Sequence, residues 1–171
     1  MIIEERVERS QYVKLITWIV SFIILMAGIV FPVLILWVNQ DMMSKVIGAS
    51  VLCLIFFTLI FTVAYQPRKL ILSETHIIME RILGQVYISY SDITDISLYH
   101  RENVAEIRIF GIGGLGGYIG KFYNSKIGFY TAYVGDYSQA FVIKINNREK
   151  YVMSCRHAEK IVEEVKSRLK Q

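Results

Sequence analysis

The sequence predicts a helical membrane hairpin followed by a mainly-β domain, a barrel or sandwich of about seven antiparallel strands closed by one C-terminal α-helix. Three features predict this fold. Two long stretches without charged residues lie before residue 66, short segments of alternating apolar and polar residues follow, and the chain ends in an amphipathic stretch. Hydrophobic residues make up 54% of the 171 residues, which is too many for an ordinary soluble domain.

Residues 15–38 and 46–65 are predicted to cross a membrane. Neither stretch contains a charged residue, and about 20 apolar residues are enough to span a hydrocarbon core of about 30 Å. As core helices of a soluble protein, both would need more surrounding chain than the remainder provides. Because a cleaved signal peptide has a shorter apolar core, we expect the first stretch to be retained. We expect Pro32 to kink it without preventing insertion.

The basic residues beside these stretches predict their orientation. They are concentrated before the first stretch and after the second, at Arg6, Arg9, Lys14, Arg68 and Lys69. The short reversal at residues 39–45 holds only Lys45. The positive-inside rule therefore places both termini in the cytoplasm. We divide the chain into a cytoplasmic N-terminal segment (1–14), two spans (within 15–65) and a cytoplasmic domain (66–171). The prediction is a multi-pass protein of the inner or plasma membrane.

Alternating segments after the spans predict seven or so strands. They lie at residues 69–72, His76–Arg81, Gln85–Ser89, Ile93–Tyr99, 104–110, Gly128–Val134, Ala140–Ile145 and 150–153. A turn is expected at Asn146 and Asn147.

The C-terminal stretch predicts one helix with Ser154 as its N-cap. Its apolar face consists of Ala158, Ile161, Val162, Val165 and Leu169. A single amphipathic helix after antiparallel strands is expected to cover an open end of the sandwich or barrel.

This order of elements resembles the pleckstrin-homology (PH) superfold. The stretch YISYSDITDISLY at residues 87–99 is similar to the third-strand signature of bacterial PH domains. The stretch GIGGLGGYIGKFYNSKIGFYTAYVGD at residues 111–136 resembles membrane-anchored bacterial PH-domain proteins that have two N-terminal spans and a glycine-aromatic insertion. The resemblance covers nearly the whole chain and implies architecture more firmly than activity, since this superfold supports many binding functions.

The insertion, residues 111–126, is the main candidate site. Gly111, Gly113 and Gly116 match the GxGxxG pattern, but that pattern binds pyrophosphate only where a helix follows, and the next residues favour strands. A long twisted hairpin with glycine bulges is the second reading. Its apolar, aromatic and basic side chains are candidate contacts with a partner or the membrane interface: Ile112, Leu115, Tyr118, Ile119, Lys121, Phe122, Tyr123 and Lys126. Two other interpretations are that the insertion packs on its own domain or that it covers the base of the helical hairpin.

PH domains that bind inositol phosphates resemble one another in a basic loop between their first two strands. Here that loop is Ser73-Glu74-Thr75, which contains no lysine or arginine, so recognition by this route is not expected. The formal net charge of +4 predicts only weak attraction to anionic lipids, at about 1 kcal/mol per basic residue near the surface.

No catalytic set is predicted. His76, His100 and His157 lie on different elements without the spacing of metal ligands or paired carboxylates. We expect no enzyme activity, no cofactor, no metal and no nucleic-acid partner.

The sequence favours a non-catalytic, membrane-tethered PH-like binding or scaffold module at the cytoplasmic membrane surface. Its expected partners are the bilayer and a membrane or cytoplasmic protein. One alternative is a structural or accessory subunit of a larger membrane complex, in which small residues would support close helix packing: Gly28, Gly48, Ala49 and Ser50. A nucleotide-using enzyme acting through the glycine-rich stretch is the third reading.

Overall fold

The computed structural model describes residues 2–38, 41–101, 106–146 and 149–169. Parts of three predicted features lie outside these ranges. They are Asn39 and Gln40 of the reversal, Val104 and Ala105 of one strand, and Asn147 of the turn.

The N-terminal part contains one strand and a helical hairpin. Strand β1 (Ile3–Arg6) precedes helix α1 (Gln11–Leu25), a π-helical segment (Met26–Val30), helix α2 (Phe31–Val38) and helix α3 (Met42–Ala64). Two helical stretches, Gln11–Leu34 and Met42–Ala64, are long and apolar enough to cross a membrane. Most of their side chains are uncovered by the rest of the chain.

Local sequence explains where these helices begin and how they approach each other. The Ser10 hydroxyl accepts a hydrogen bond from Val13 N at 3.2 Å, and so caps α1. The π-helical segment ends two residues before Pro32, whose nitrogen cannot donate to a helical hydrogen bond. Gly28 in that segment faces α3, where an added Cβ would lie 2.5 Å from Ile55 Cδ1. The glycine therefore permits close packing within the hairpin.

The first sheet has the order β1-β2-β3-β4 and is antiparallel throughout. It continues from α3 through β2 (Pro67–Leu72), β3 (His76–Arg81) and β4 (Gln85–Ser89). Strand β1 was not predicted, because it has four residues of which three are charged. It pairs along β2, with Ile3 opposite Leu72.

The second sheet has the order β5-β9-β10-β8-β7-β6. Its strands are β5 (Ile93–Tyr99), β6 (Glu106–Gly113), β7 (Tyr118–Asn124), β8 (Gly128–Val134), β9 (Ala140–Ile145) and β10 (Lys150–Ser154). The prediction that all strands are antiparallel is wrong at one pair. Strand β10 lies between β9 and β8 and runs parallel to β8. Strands β8 and β9 follow each other in the chain but are not neighbours in the sheet, because β10 is inserted between them.

The predicted fold class is confirmed: two helices, a mainly-β domain and a C-terminal helix, α4 (Ala158–Leu169). In the described residues the strands of the domain form two sheets and not a closed barrel. Helix α4 packs on β5 and β9. The main core contains fully buried side chains from both sheets and α4, including Leu70, Ile77, Met79, Phe141, Ile143, Met153 and Ile161. Burial of each such side chain stabilises the fold by about 1.5–3 kcal/mol.

The predicted N-cap of α4 is wrong. Ser154 is the last residue of β10, where it pairs with Ala140. Its hydroxyl accepts a hydrogen bond from Gly135 N at 2.9 Å, inside the domain. The helix begins at Ala158 because pairing with β9 keeps Ser154 in the sheet.

Candidate functional site

The glycine-rich insertion forms a hairpin of β6 and β7. Residues 114–117 make its turn, which is closed by a hydrogen bond from Gly114 N to Gly117 O at 2.9 Å. Strand β7 follows this turn, so no helix N-terminus is available where a pyrophosphate would bind. The structure therefore does not support the nucleotide reading.

The turn packs where the helices join the domain. Gly116 N donates a hydrogen bond to Thr17 Oγ1 at 2.8 Å, and that hydroxyl donates to Val13 O at 2.6 Å within α1. Gly116 has φ +73°, and a Cβ there would lie 2.0 Å from Gln66 Nε2. Gln66 lies two residues after the end of α3, is 5% exposed, and accepts a hydrogen bond from Arg9 Nη2 at 2.6 Å. We call this set of contacts the junction clamp.

Two further contacts brace the domain against the helices. Leu83 N, in the turn between β3 and β4, donates to Ala64 O at 2.7 Å. The Arg81 guanidinium lies 5.1 Å from the ring centre of Tyr65 at the end of α3, which is cation–π geometry. The domain is thus held against the helical hairpin at several points.

The N-terminal segment adds to this attachment. Beyond β1, Val7 N donates to Arg68 O at 2.9 Å, and Ser10 N donates to Gly135 O at 3.2 Å. Gly135 is needed here, because a Cβ would lie 2.2 Å from Glu8 O. The chain therefore crosses the domain before it enters α1.

A polar cluster lies beside the start of β6. The Glu106 side chain is 4% exposed, and its Oε1 accepts hydrogen bonds from the hydroxyls of Tyr130 and, at 3.1 Å, Tyr99. Asn124 Nδ2 donates to the Tyr99 hydroxyl at 3.0 Å. Arg101 Nη2 forms an ion pair with Glu106 Oε2 at 2.8 Å, although the two groups are not aligned for a hydrogen bond.

Burial keeps the phenols of this cluster protonated. Burial first, and then the Glu106 carboxylate, raise the pKa of Tyr99 to about 12. Burial also raises the pKa of Tyr130 and of Tyr137. At neutral pH the hydroxyls of Tyr99 and Tyr130 thus act as donors that hold one buried carboxylate. This arrangement joins β5, β6 and β8 through hydrogen bonds to one buried side chain.

Strand β6 forms an exposed edge of the second sheet. Among the described strands it pairs only with β7, so one row of backbone N–H and C=O groups is unpaired. Ile107 and Ile109 are each 55% exposed, and Phe110 is 74% exposed. Ile109 is the extra residue of a bulge, because pairing with β7 shifts between Arg108 and Phe110. We call this strand the β6 edge.

The residues predicted as a contact set do not form one surface. Ile119 and Phe122 are buried in the domain, whereas Ile112 and Leu115 are half-buried at the helix-proximal end of the hairpin. Tyr118 and Tyr123 are half-buried, and Lys121 and Lys126 are exposed. Tyr118 packs 4.8 Å from the Tyr137 ring, and Tyr123 lies 5.0 Å from the Phe129 ring. The structure brings some members to the junction, some into the core and some to the surface.

Sequence reasoning missed the most exposed apolar side chains of this region. They are Ile107, Ile109, Phe110 and Phe129, the last 68% exposed on β8. The available signal was the run Ile107-Arg108-Ile109-Phe110, where two apolar residues in succession break the alternation of a half-buried strand.

The small residues proposed for helix packing divide into two pairs. Gly28 and Gly48 are buried, and Gly28 contacts Ile55 within the hairpin. Ala49 and Ser50 are exposed on α3.

Metal binding receives no support from the described part of the chain. Its His, Cys, Asp and Glu side chains form no group of three that could hold an ion. His76 and His157 contact Tyr87 and Glu5, respectively, on different parts of the domain.

These features define a class: a two-sheet, mainly-β domain with a C-terminal helix, joined to two helices of membrane-spanning length. The chain belongs to the bacterial PH domain family, whose model matches residues 68–169. The match begins within β2, so β1 and the hairpin lie before it. This confirms the resemblance found in the sequence. No match was found among curated proteins or solved structures. Because PH domains bind lipids or proteins and are generally non-catalytic, the family indicates a binding module.

Proposed function

We propose that the chain is a non-catalytic, membrane-tethered module that binds a protein partner at the cytoplasmic membrane surface through the β6 edge. The observation that carries this proposal is the exposure of three large apolar side chains, Ile107, Ile109 and Phe110, on a strand with one unpaired backbone row. Natural proteins usually protect such edges, because they are templates for pairing with another chain.

The surroundings of the β6 edge favour an extended peptide as the bound element. A groove of about 490 Å³ lies beside it, lined by apolar, aromatic and polar side chains that include Ile109, Lys121, Phe129, Thr131 and Tyr151. Peptides that add a strand to a sheet edge gain affinity from main-chain hydrogen bonds and specificity from side-chain pockets of this kind. The groove meets the β6 edge at Ile109 and continues over the face of β7, β8 and β10, where it can receive side chains of an added peptide.

The position of the helices argues against antiparallel pairing of two β6 strands from copies of this chain. The Gly113 end of β6 lies next to the turn that contacts α1, and the Glu106 end points away from it. Antiparallel pairing would place the two helical hairpins at opposite ends of the paired strands. If β6 runs along the membrane normal, one membrane cannot hold both anchors in that arrangement, which favours a different protein as the partner.

Photo-crosslinking in native membranes tests the proposal. A photoreactive phenylalanine analogue at position 110 is expected to give a discrete protein adduct of the full chain. Ile107→Asp together with Ile109→Asp should reduce that adduct at least about fivefold, because two charges on the edge oppose apolar contact and strand addition. Both side chains are more than half exposed, so folding should be preserved.

The matched control is Tyr87→Asp on β4. Strand β4 is an edge strand of the first sheet, and Tyr87 is 60% exposed. It should leave the adduct unchanged. Loss of the adduct in both variants, or its persistence in the β6 variant, would contradict binding at the β6 edge. An adduct with the mass of two copies of the chain would show that the β6 edge mediates self-association and does not bind a different protein.

A further inference from the structure

A basic pocket lies where the chain enters α1 and leaves α3. Its cavity of about 330 Å³ is lined by Arg6, Val7, Arg9, Pro67, Arg68 and Lys69. Four of these six residues are cationic and none is a carboxylate. We call it the junction pocket.

The cations of the junction pocket are poorly neutralised by the protein. Arg6 and Arg68 are exposed, and within the described residues their side chains make no hydrogen bond or ion pair. Arg9 donates to a neutral group, the Gln66 amide oxygen, at 2.6 Å. Lys69 lies 3.3 Å from Glu4, but both side chains are about half exposed, which makes such an ion pair weak.

Strand register brings two of these charges directly together. Arg6 of β1 lies opposite Lys69 of β2 in the antiparallel pair, so the two side chains leave the same face of the sheet. Like charges directly opposite each other destabilise a sheet. A bound anion would remove this repulsion, and the arginine fork matches the geometry of a phosphate group.

The chain position of the pocket points to the source of that phosphate. Arg9 lies two residues before α1, and Pro67 lies three residues after α3. If both helices span a bilayer, residues so close to their ends lie in the headgroup layer, which is several ångströms thick on each side of the hydrocarbon.

The loop that binds inositol phosphates in other PH domains lies elsewhere. It is the β2–β3 turn, and three residues of β2, 70–72, separate it from Lys69 of the junction pocket, roughly 13 Å along the strand. Arg168 reaches that turn from α4, but it is bonded to Ser73 O and to Glu164 at 2.9 Å. The junction pocket is therefore a separate site.

We propose that the junction pocket binds the phosphate of an anionic phospholipid headgroup, with Arg6, Arg9, Arg68 and Lys69 as the contacting cations. The inference rests on the proposed membrane tethering, because the headgroup reaches the pocket only if the helices lie in a bilayer. Binding would fix the height of the domain above the membrane and relieve repulsion between β1 and β2.

Lipid binding by the full chain in neutral detergent micelles tests this proposal. Native mass spectrometry would count bound phosphatidylglycerol and, separately, phosphatidylcholine. The apparent Kd for phosphatidylglycerol should rise about tenfold or more in the Arg6→Gln, Arg68→Gln double variant. Phosphatidylcholine, which carries no net charge, should bind both proteins equally.

The control with the same change in charge is Lys160→Gln with Lys166→Gln, on the exposed face of α4. It should bind phosphatidylglycerol like the wild type. Equal loss in this control, or unchanged binding in the Arg6, Arg68 variant, would overturn the proposal. Competition by inorganic phosphate at the same concentration as the lipid would assign the pocket to a free phosphate instead.

Thermal unfolding without lipid distinguishes a ligand site from a structural role. The Arg6→Gln, Arg68→Gln variant should unfold at a temperature no lower than the wild type, because one member of a like-charge pair is removed. A lower temperature would show that these arginines stabilise the fold and would count against the site. Lipid binding in micelles does not depend on the membrane orientation of the chain. The lipid-binding proposal can therefore fail while the proposed orientation is correct, and the orientation can be wrong while lipid binding is observed.

Discussion

Replacing Gly120 with alanine is expected to lower the unfolding free energy of the domain by about 3 kcal/mol or more. Gly120 lies on β7 opposite Gly111 of β6 and has φ +123°, a conformation that is rare for other residues. An added Cβ would lie 2.3 Å from Phe110 O. That atom belongs to the backbone of the paired strand, so it cannot move without breaking the β6–β7 pairing. Chemical unfolding of the full chain in micelles, followed by circular dichroism, measures the change.

Gly113→Ala in the same hairpin is the matched control. Gly113 is outside the left-handed region, and the closest atom to an added Cβ is Arg108 Nη1, at 3.4 Å. We expect a change of no more than about 0.5 kcal/mol. Similar losses of stability in the two variants would contradict the claim that a Cβ at Gly120 clashes with the backbone of β6.

Gly116→Ala is expected to lower the unfolding free energy by about 2 kcal/mol, because it breaks the junction clamp. A Cβ at this position, with φ +73°, would displace the buried Gln66 amide, and the shift would strain the hydrogen bond from Gly116 N to Thr17. Denaturant titration of the full chain in micelles again gives the value.

A double-mutant cycle with Thr17→Val separates the clamp from general damage to the turn. Thr17→Val removes the hydroxyl that accepts a hydrogen bond from Gly116 N. The loss of stability in the double variant should therefore be smaller than the sum of the losses in the two single variants. We expect a coupling energy of about 1 kcal/mol between the two changes, and near recovery of stability in Thr17→Ser. Additive effects would show that turn and helix do not act together.

Many strand positions could be predicted because their alternation survives in the fold. His76–Arg81, Gln85–Ser89, Ile93–Tyr99, Gly128–Val134 and Ala140–Ile145 have the predicted bounds. Alternation shows which residues leave a strand on the same face, but it does not encode which strands are neighbours. The parallel pair of β8 and β10 was therefore missed.

Strand β1 was missed for a different physical reason. Its sequence, IEER, offers a single apolar residue, and its stability depends on pairing with β2, which follows 60 residues later in the chain after the hairpin. Ser154 illustrates the same limit. A serine before an amphipathic stretch is a good cap by local rules, but pairing with β9 keeps it in the sheet.

The candidate site was predictable only in part. The sequence indicated a glycine-rich hairpin with apolar and aromatic side chains, but it could not tell which of them face the core. Phe122 is 3% exposed because it faces a buried cluster, whereas Phe110 is 74% exposed and lies opposite the exposed Lys121. The junction pocket likewise depends on tertiary structure, since residues 6–9 and 67–69 meet only after β1 pairs with β2.

Membrane tethering with a cytoplasmic domain is the central claim, and labelling of introduced cysteines tests it most directly. Met43→Cys lies at the start of α3, and Ser125→Cys lies in the turn after β7; both positions are exposed. Burial raises the pKa of the native Cys155 thiol to about 12, so that thiol should not react at neutral pH. Cys53 lies within α3 in both variants, and the unmodified chain measures its background.

In cells with an intact plasma membrane, a membrane-impermeant maleimide should label Met43→Cys well above the unmodified chain. Ser125→Cys should stay at background until the membrane is permeabilised. Labelling of Ser125→Cys from outside, or the same labelling of both variants before permeabilisation, would contradict a hairpin that spans the membrane with its domain in the cytoplasm.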